Sequence, residues 1–291
     1  MPFLEWIRRF LAPVWVRWIL LAALAFVVGW VLAILLIPAP RIAVIRFSDV
    51  IWSDTVVPLE AQIRYAEGDP SIRAVVLEMD SPGGEASASE RLYFDLLRLR
   101  ARKPLVVMVG SYAASGGYYM AAAADAIYVT PSSSVGNIGV ISPIPSSSFV
   151  VEDYLFTGPF KAFGNPRDSF VRQMEVLKDS FLESVFAQRG ERLKVDRATL
   201  SRGEIYVGTV ALQIGLADAI GSRDDAIAQA ARLARLGRYR ILDVAVEMAG
   251  GEAPPAPTPL PAAEVQGRLT GPAWHPGYFF LYVAPQEGRQ P

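Results

Sequence analysis

Apolar runs alternate with amphipathic segments through the central part of the chain. Four of these runs are short, nearly continuous in apolar residues and typical of buried strands. They are Arg41–Phe47, Ile72–Met79, Pro104–Gly110 and Ala126–Thr130. The segments between and after them have apolar residues at helical spacing, as at Leu92, Leu96 and Leu99. This alternation predicts an α/β fold in which parallel strands are covered by helices on both faces.

The N-terminal pattern is different, because residues 18–40 contain no charged side chain. A helix over Trp18–Ile37 would be about 30 Å long, which matches the hydrocarbon core of a bilayer. The run is also longer than the apolar region of a secretory signal peptide. Three arginines precede it, at positions 8, 9 and 17. The positive-inside rule then predicts a cytoplasmic N-terminus (1–17), an inner-membrane anchor (18–40) and a main domain on the outer side.

The rest of the chain divides into a domain and a tail. We predict one folded domain over residues 41–248, with a long amphipathic helix at Asp168–Gly190 and a final helix at 223–237. Residues 249–291 begin with a Pro/Ala-rich linker and end in an aromatic segment, 272–285. That segment is too short to span a membrane. It is expected to dock as an edge strand or to contact a neighbouring molecule.

Composition excludes several classes of site. The chain has no cysteine and one histidine, His275, which rules out disulfides, thiolate metal ligands and multi-histidine metal centres. No cofactor or metal is expected. The net charge of −1 gives no basic footprint, so nucleic acid is not an expected partner.

Two glycine-rich segments follow neighbouring predicted strands. "DSPGGEA" follows the second strand, and "SYAASGGYYM" follows the third and presents Ser115. Carboxyl ends of parallel strands meet at one edge of a sheet, where ligand sites usually lie. The backbone amides of such turns can stabilise an oxyanion. Equally, the first segment can be an ordinary turn and Ser115 a helix N-cap.

A nucleophilic serine needs a base, and the basic residues leave few candidates. His275 lies beyond the linker, and arginine does not lose its proton. The chain has only four lysines. Lys103 is predicted to be a solvated residue at a strand start, Lys178 to lie on a charged helix face and Lys194 to lie in a loop. Lys161, among phenylalanines in "YLFTGPFKAFGNP", is the candidate that remains, although a surface lysine is an equal alternative.

Together these motifs, with "RIAVIRFSDVI" and "GEIYVGTVALQIGLADAIG", resemble the signal peptide peptidase A (SppA) family of the ClpP/crotonase superfamily. The resemblance covers about residues 41–221 and implies repeated β-β-α and βα units around a parallel sheet. It implies a membrane-anchored serine peptidase with Ser115 as nucleophile and Lys161 as general base. It also implies an oxyanion hole from the amides of Gly84 and Gly116, homo-oligomeric rings, and residual signal peptides or other membrane-associated peptides as substrates.

Asn137 departs from the family pattern. It stands in "VGNIGV" where the family usually has a serine that orients the lysine. The Asn137 side-chain amide is expected to replace that hydroxyl or to mark a weakened dyad. A catalytically impaired scaffold is therefore one alternative. A crotonase-type acyl-transfer enzyme is another, because it would share the fold and the two-amide oxyanion hole, but it would need no membrane anchor.

Overall fold

The computed structural model describes residues 14–36, 38–142, 157, 166–252 and 279–281. The chain forms two compact units, Met1–Pro40 and Arg41–Pro291. The first contains helix α1 (Val14–Leu36), which exposes large apolar side chains such as Trp18 and Phe26. Among the described residues, no helix is long and apolar enough to cross a membrane. The span predicted at residues 18–40 is therefore not shown by the structure.

The second unit is built on strands that form one large and one small sheet. The strands are β1 (Arg41–Phe47), β2 (Ile72–Ser81), β3 (Gly83–Glu85), β4 (Leu105–Ala114), β5 (Ala126–Val129), β6 (Ser134–Gly136), β7 (Ile205–Val207), β8 (Ala219–Ile220), β9 (Arg240–Asp243) and β10 (Phe279–Leu281). The large sheet has the order β7-β6-β4-β2-β1-β9, with β5 beside β4 and β8 beside β5. The small sheet pairs β10 with β3.

All strands of the large sheet run parallel to one another except β7, which pairs antiparallel with β6 at one edge. The α/β prediction is thus confirmed, and the purely parallel sheet is corrected to a mixed one. The three-residue β7 is too short to show a strand pattern in the sequence.

Helices cover both faces of the sheet. They are α2 (Val56–Gly68), α3 (Ala86–Arg100), α4 (Gly116–Ala122), α5 (Arg167–Arg189), α6 (Arg197–Leu200), α7 (Gly208–Ile214), α8 (Arg223–Leu233) and α9 (Val244–Met248). The apolar stripe Leu92, Leu96 and Leu99 of α3 is buried as predicted. It joins the larger core with residues of α2, α4 and α5, whereas α8 packs on the opposite face against Ile42, Val44 and Val106, among others.

Strand β4 changes neighbours along its length, and this carries it to Ser115. Its first half pairs with β5 and its second half with β6. Its register with β2 jumps from Met79–Val109 to Ser81–Ala113, which leaves residues 110–112 as a bulge. Asp80 Oδ1 accepts a hydrogen bond from the Tyr112 amide at 3.0 Å within this bulge. A bulge bends a strand and changes the direction of its end. After the bulge β4 pairs again, with β2 and β6, and it ends at Ala114, four residues past the predicted end at Gly110.

Candidate active site

Ser115 lies in the sharp turn between β4 and α4. Its backbone has φ 53° and ψ −121°, a conformation that glycine adopts far more readily than serine. Its amide donates to the Gly136 carbonyl at 2.8 Å, and its own carbonyl accepts from the Tyr119 amide at 2.9 Å. Ser115 occupies the N-cap position, but its side chain makes no capping hydrogen bond. Helix capping therefore does not account for a serine here.

The two glycine-rich junctions are in contact, as expected from adjacent parallel strands. Ser81, at the end of β2, pairs with Ala113 just before Ser115. A Cβ atom at Gly117 would lie 2.6 Å from the Ser81 carbonyl oxygen. Real Cβ atoms do not approach that closely, so only glycine allows the first turn of α4 to pack against the end of β2.

Backbone amides from both junctions are placed for an acceptor. The first N–H groups of a helix have no intrahelical partner, and in α4 these include the amide of Gly116. On the other junction, the Gly83 carbonyl and the Glu85 amide both bond to Ile51. Because strand groups alternate in direction, the Gly84 amide faces away from Ile51. A side chain at Gly84 is impossible without rearrangement, since its Cβ would lie 2.0 Å from the Ile51 oxygen.

The predicted base, Lys161, lies outside the described residues, as does His275. Of the other lysines, Lys194 is an exposed loop residue and Lys178 pairs with Glu175, as predicted. Lys103 is not solvated as predicted: its ammonium donates to the carbonyls of Ala66 and Asp69, at 2.5 and 2.6 Å. Burial lowers the pKa of Lys103, although Asp69 opposes that shift.

Lys103 is nevertheless too far away to serve Ser115. It precedes β4, and Ser115 follows the end of that strand, whose ten residues span about 30 Å. The sequence reasoning missed the burial of Lys103 because its partners are backbone carbonyls, which leave no trace in residue types. Lys161 remains the candidate by elimination.

Asn137 lies directly after β6, close in the chain to the Gly136 carbonyl that holds Ser115. It has φ 53°, which asparagine tolerates better than most residues. Its amide donates to the Glu204 carbonyl at 2.7 Å, and its side-chain Nδ2 donates to the Gly203 carbonyl at 2.8 Å. Asn137 therefore joins the end of β6 to the loop before β7. Its expected role toward Lys161 stays a prediction.

Aromatic side chains pack helix α4 against helices α3 and α5. The ring of Tyr119, in α4, stacks on Tyr93 at 4.6 Å and contacts Phe181. Burial raises the pKa of Tyr119, so its hydroxyl stays neutral.

Glu85 ties β3 to the loop that precedes it. Burial acts to raise the pKa of Glu85, but hydrogen bonds from Ser53 and Ser87 outweigh this effect and lower the pKa. Glu85 is thus an ionised residue that ties β3 to the preceding loop.

Sequence reasoning did not find β3, the partner of β10. Phe279 of β10 is buried and meets the Trp52 ring edge-to-face, with centroids 5.6 Å apart. The aromatic segment predicted that the tail docks as a strand, and the pairing of β10 with β3 confirms this. Ile141 pairs with Phe279 on the other side, so β10 does not lie at an edge as predicted. Within the described part of the chain, no cluster of His, Cys, Asp or Glu could hold a metal ion.

Known proteins resemble this chain through the same region. Residues 98–154 and 156–237 match peptidase family S49. Protease 4 of Salmonella typhi is 34% identical over 194 residues, which are 62% of this chain and 31% of that protein. A putative signal peptide peptidase SppA of Enterococcus faecium is 27% identical over 180 residues, covering 57% of this chain and 52% of that protein.

The chain thus spans about a third to a half of these relatives. Among solved structures, a variant of a membrane-bound stomatin-specific protease aligns with a TM-score of 0.48 and 18% identity, over 72% of this chain and 95% of that one. The predicted resemblance to SppA is confirmed by the family match and by the names of the relatives. Within this chain, residues 98–237 are therefore the part that is similar to peptidase family S49.

Proposed function

We propose that the protein is a serine endopeptidase in which Ser115 is the nucleophile and Lys161 the general base. The observation that carries the proposal is the Ser115 turn. A buried serine without a capping role is held at φ 53° in a glycine-rich junction that packs against the junction after β2. Unfavourable backbone conformations of this kind persist where the surrounding structure enforces them, and they cluster at active sites.

The proposed reaction has two halves, the formation of an acyl-enzyme at Ser115 and its hydrolysis by water. Neutral Lys161 accepts the Ser115 proton while the Ser115 oxygen attacks a peptide carbonyl. The amides of Gly84 and Gly116 donate to the oxyanion, and the departing amine takes the proton from Lys161. Water, deprotonated by Lys161, then hydrolyses the acyl-enzyme and restores Ser115.

The proposal includes membrane attachment through residues 18–40 and peptides at the membrane as substrates, including residual signal peptides. Support comes from the uncharged sequence of that segment and from the exposed apolar side chains of α1. The similarity to a putative signal peptide peptidase SppA of Enterococcus faecium also supports it. Assembly into homo-oligomeric rings is part of the same proposal.

Fluorophosphonate labelling of the detergent-solubilised full chain tests the nucleophile. We expect covalent labelling and casein hydrolysis in the native chain and neither in Ser115→Ala. Ser201→Ala is the matched control, since the Ser201 hydroxyl only bonds the Ala198 carbonyl at the end of α6. Hydrolysis that persists in Ser115→Ala would exclude Ser115 as nucleophile.

Lys161→Arg tests the base separately. Arginine keeps the positive charge but cannot accept a proton near neutral pH, so we expect loss of hydrolysis. Lys194→Arg makes the same change at an exposed loop position and should leave the rate unchanged. Full activity in Lys161→Arg would show that another group is the base.

An inactive scaffold is the second candidate, and the hydrogen bond from Asn137 to Gly203 favours it, because that side-chain amide already donates to a backbone carbonyl. Asn137→Ser distinguishes the two. If the chain is a peptidase, the serine variant should keep at least native activity, with a stability loss of about 1 kcal/mol for the missing hydrogen bond. A native chain that never labels or hydrolyses would establish the scaffold.

A further inference from the structure

The C-terminal strand β10 lies between β3, which belongs to the first glycine-rich junction, and Ile141, which follows β6 in the chain. On one side, β10 pairs antiparallel with β3, with Phe280 opposite Gly84. On the other side, Phe279 exchanges two hydrogen bonds of 2.9 Å with Ile141, four residues past Asn137. Neighbouring strands lie about 4.8 Å apart, so β3 and Ile141 enclose a slot about 10 Å wide, enough for a single strand.

The backbone of β10 meets the amide assigned to the oxyanion hole. Both main-chain polar groups of Phe279 face Ile141, so those of Phe280 face the opposite wall of the slot. The Gly84 amide faces away from Ile51 and therefore toward β10. The register that pairs Phe280 with Gly84 directs the Phe280 carbonyl at that amide. Helix α4, which begins directly after Ser115, contacts both β3 and β10.

The side chain of Phe279 anchors the strand. It is 3% exposed and packs edge-to-face on Trp52, which is itself buried. An extended segment is thus fixed by main-chain hydrogen bonds on two sides and by one apolar side chain. Peptides that add to a sheet edge are recognised in the same way, through backbone bonds for affinity and alternate side chains for specificity.

From this geometry we infer that β10 is an internal substrate mimic, which occupies the channel where peptide substrates bind. The inference rests on the proposed peptidase function. A substrate enters as an extended strand between β3 and Ile141, with a large apolar residue where Phe279 now packs on Trp52. The chain's own tail competes with it, and displacement of β10 opens the channel.

A binding measurement tests this without requiring catalysis. The probe is a fluorescein-labelled peptide copying residues 275–285, titrated by anisotropy into the full chain with Ser115→Ala. Adding Phe279→Asp should release the tail and tighten peptide binding at least about tenfold, since burial of a phenylalanine ring changes an equilibrium constant by one to two powers of ten. Ile241→Asp, at an exposed position on edge strand β9, is the matched control and should leave the affinity unchanged.

Unchanged affinity in Phe279→Asp, or no binding to any variant, would overturn the inference. Phe280→Pro serves if the aspartate variant does not fold, because proline removes the N–H that faces Gly84 and should also release β10. In the catalytic chain, Phe279→Asp should lower the apparent KM for a peptide substrate and leave kcat unchanged. If no variant hydrolyses peptides, the proposed function fails while the anisotropy result still decides the place of the tail.

Discussion

Two polar sites of this protein, each with a buried side chain, are held in very different ways. At one, the Arg189 guanidinium of α5 makes two hydrogen bonds to the Asp218 carboxylate, at 2.8 and 2.9 Å, and a third to the Gly215 carbonyl. Asp218 also accepts from the Ile127 amide at 2.8 Å. At the other site, Ser115 has an unfavourable φ and no capping hydrogen bond.

The difference separates a site built for stability from one suited to chemistry. The Arg189–Asp218 pair joins α5 to Ile127 of β5 and to the start of β8. Both oxygens of the Asp218 carboxylate accept hydrogen bonds from Arg189. The Ser115 turn is held by its neighbours, through the Gly136 carbonyl and the close packing of Gly117 on Ser81. Active sites commonly sacrifice local stability in this way. The two sites should therefore respond oppositely to substitution.

Asp218→Asn should give the largest loss of stability. It leaves the Arg189 charge buried without its counter-charge, and breaking a buried pair costs about 3 kcal/mol or more. Asp179→Asn is the control, because Asp179 pairs with Arg197 at an exposed position, where such pairs contribute at most about 1 kcal/mol. Urea unfolding of both variants measures the difference, and equal losses would show that the buried pair has no special weight.

Acidification should reduce the difference in unfolding free energy between the native chain and Asp218→Asn. Burial alone would raise the pKa of Asp218, but the hydrogen bonds and charge of Arg189, with the charge of Arg192, outweigh it and lower the pKa below its ordinary 3.8. A depressed carboxylate pKa stabilises the fold fully above the ordinary value, and this contribution is lost as the pH falls through the folded-state value. The stability gap between native chain and Asp218→Asn should stay constant from pH 7 to 5 and narrow below pH 3.8. A gap that widens on acidification would contradict this assignment.

Much of the fold was predictable because its central elements repeat a simple pattern. The apolar runs at β1 and β2 and the amphipathic helices α3 and α5 are long enough for their periodicity to be read. Strands β3, β6 and β7 have only three residues each, and β3 and β6 also contain glycine and polar residues. Their pairing depends on the bulge in β4 and on the positive φ angles of Gly83 and Gly136, which the apolar pattern of the sequence does not specify.

Residue type narrowed the candidates for the site. Ser115 was proposed because glycines follow it at a strand end, and Lys161 because lysines are scarce. The contacts of Asn137 with the Gly203 and Glu204 carbonyls could not be foreseen, since backbone carbonyls are available at every position. Likewise, the aromatic tail predicted an edge strand, but its pairing with Gly84 depends on a register that apolar pattern alone does not specify.

The smallest expected effect is a stability difference between two variants of Ser115, and it reports directly on the backbone strain at that residue. Both Ser115→Ala and Ser115→Gly remove the hydroxyl and should be inactive, but only glycine relieves the conformation at φ 53°. Relief of about 1–3 kcal/mol exceeds the 0.5–1 kcal/mol that glycine loses through its unfolded-state entropy, so Ser115→Gly should be about 1 kcal/mol more stable than Ser115→Ala. At Ser201, where φ is −66°, the same pair of variants should have the opposite order, with alanine more stable. Urea midpoints measure both pairs. If glycine were also the less stable residue at position 115, the turn would hold no strain, and the contrast with the Arg189–Asp218 site would reduce to a difference in hydrogen bonding.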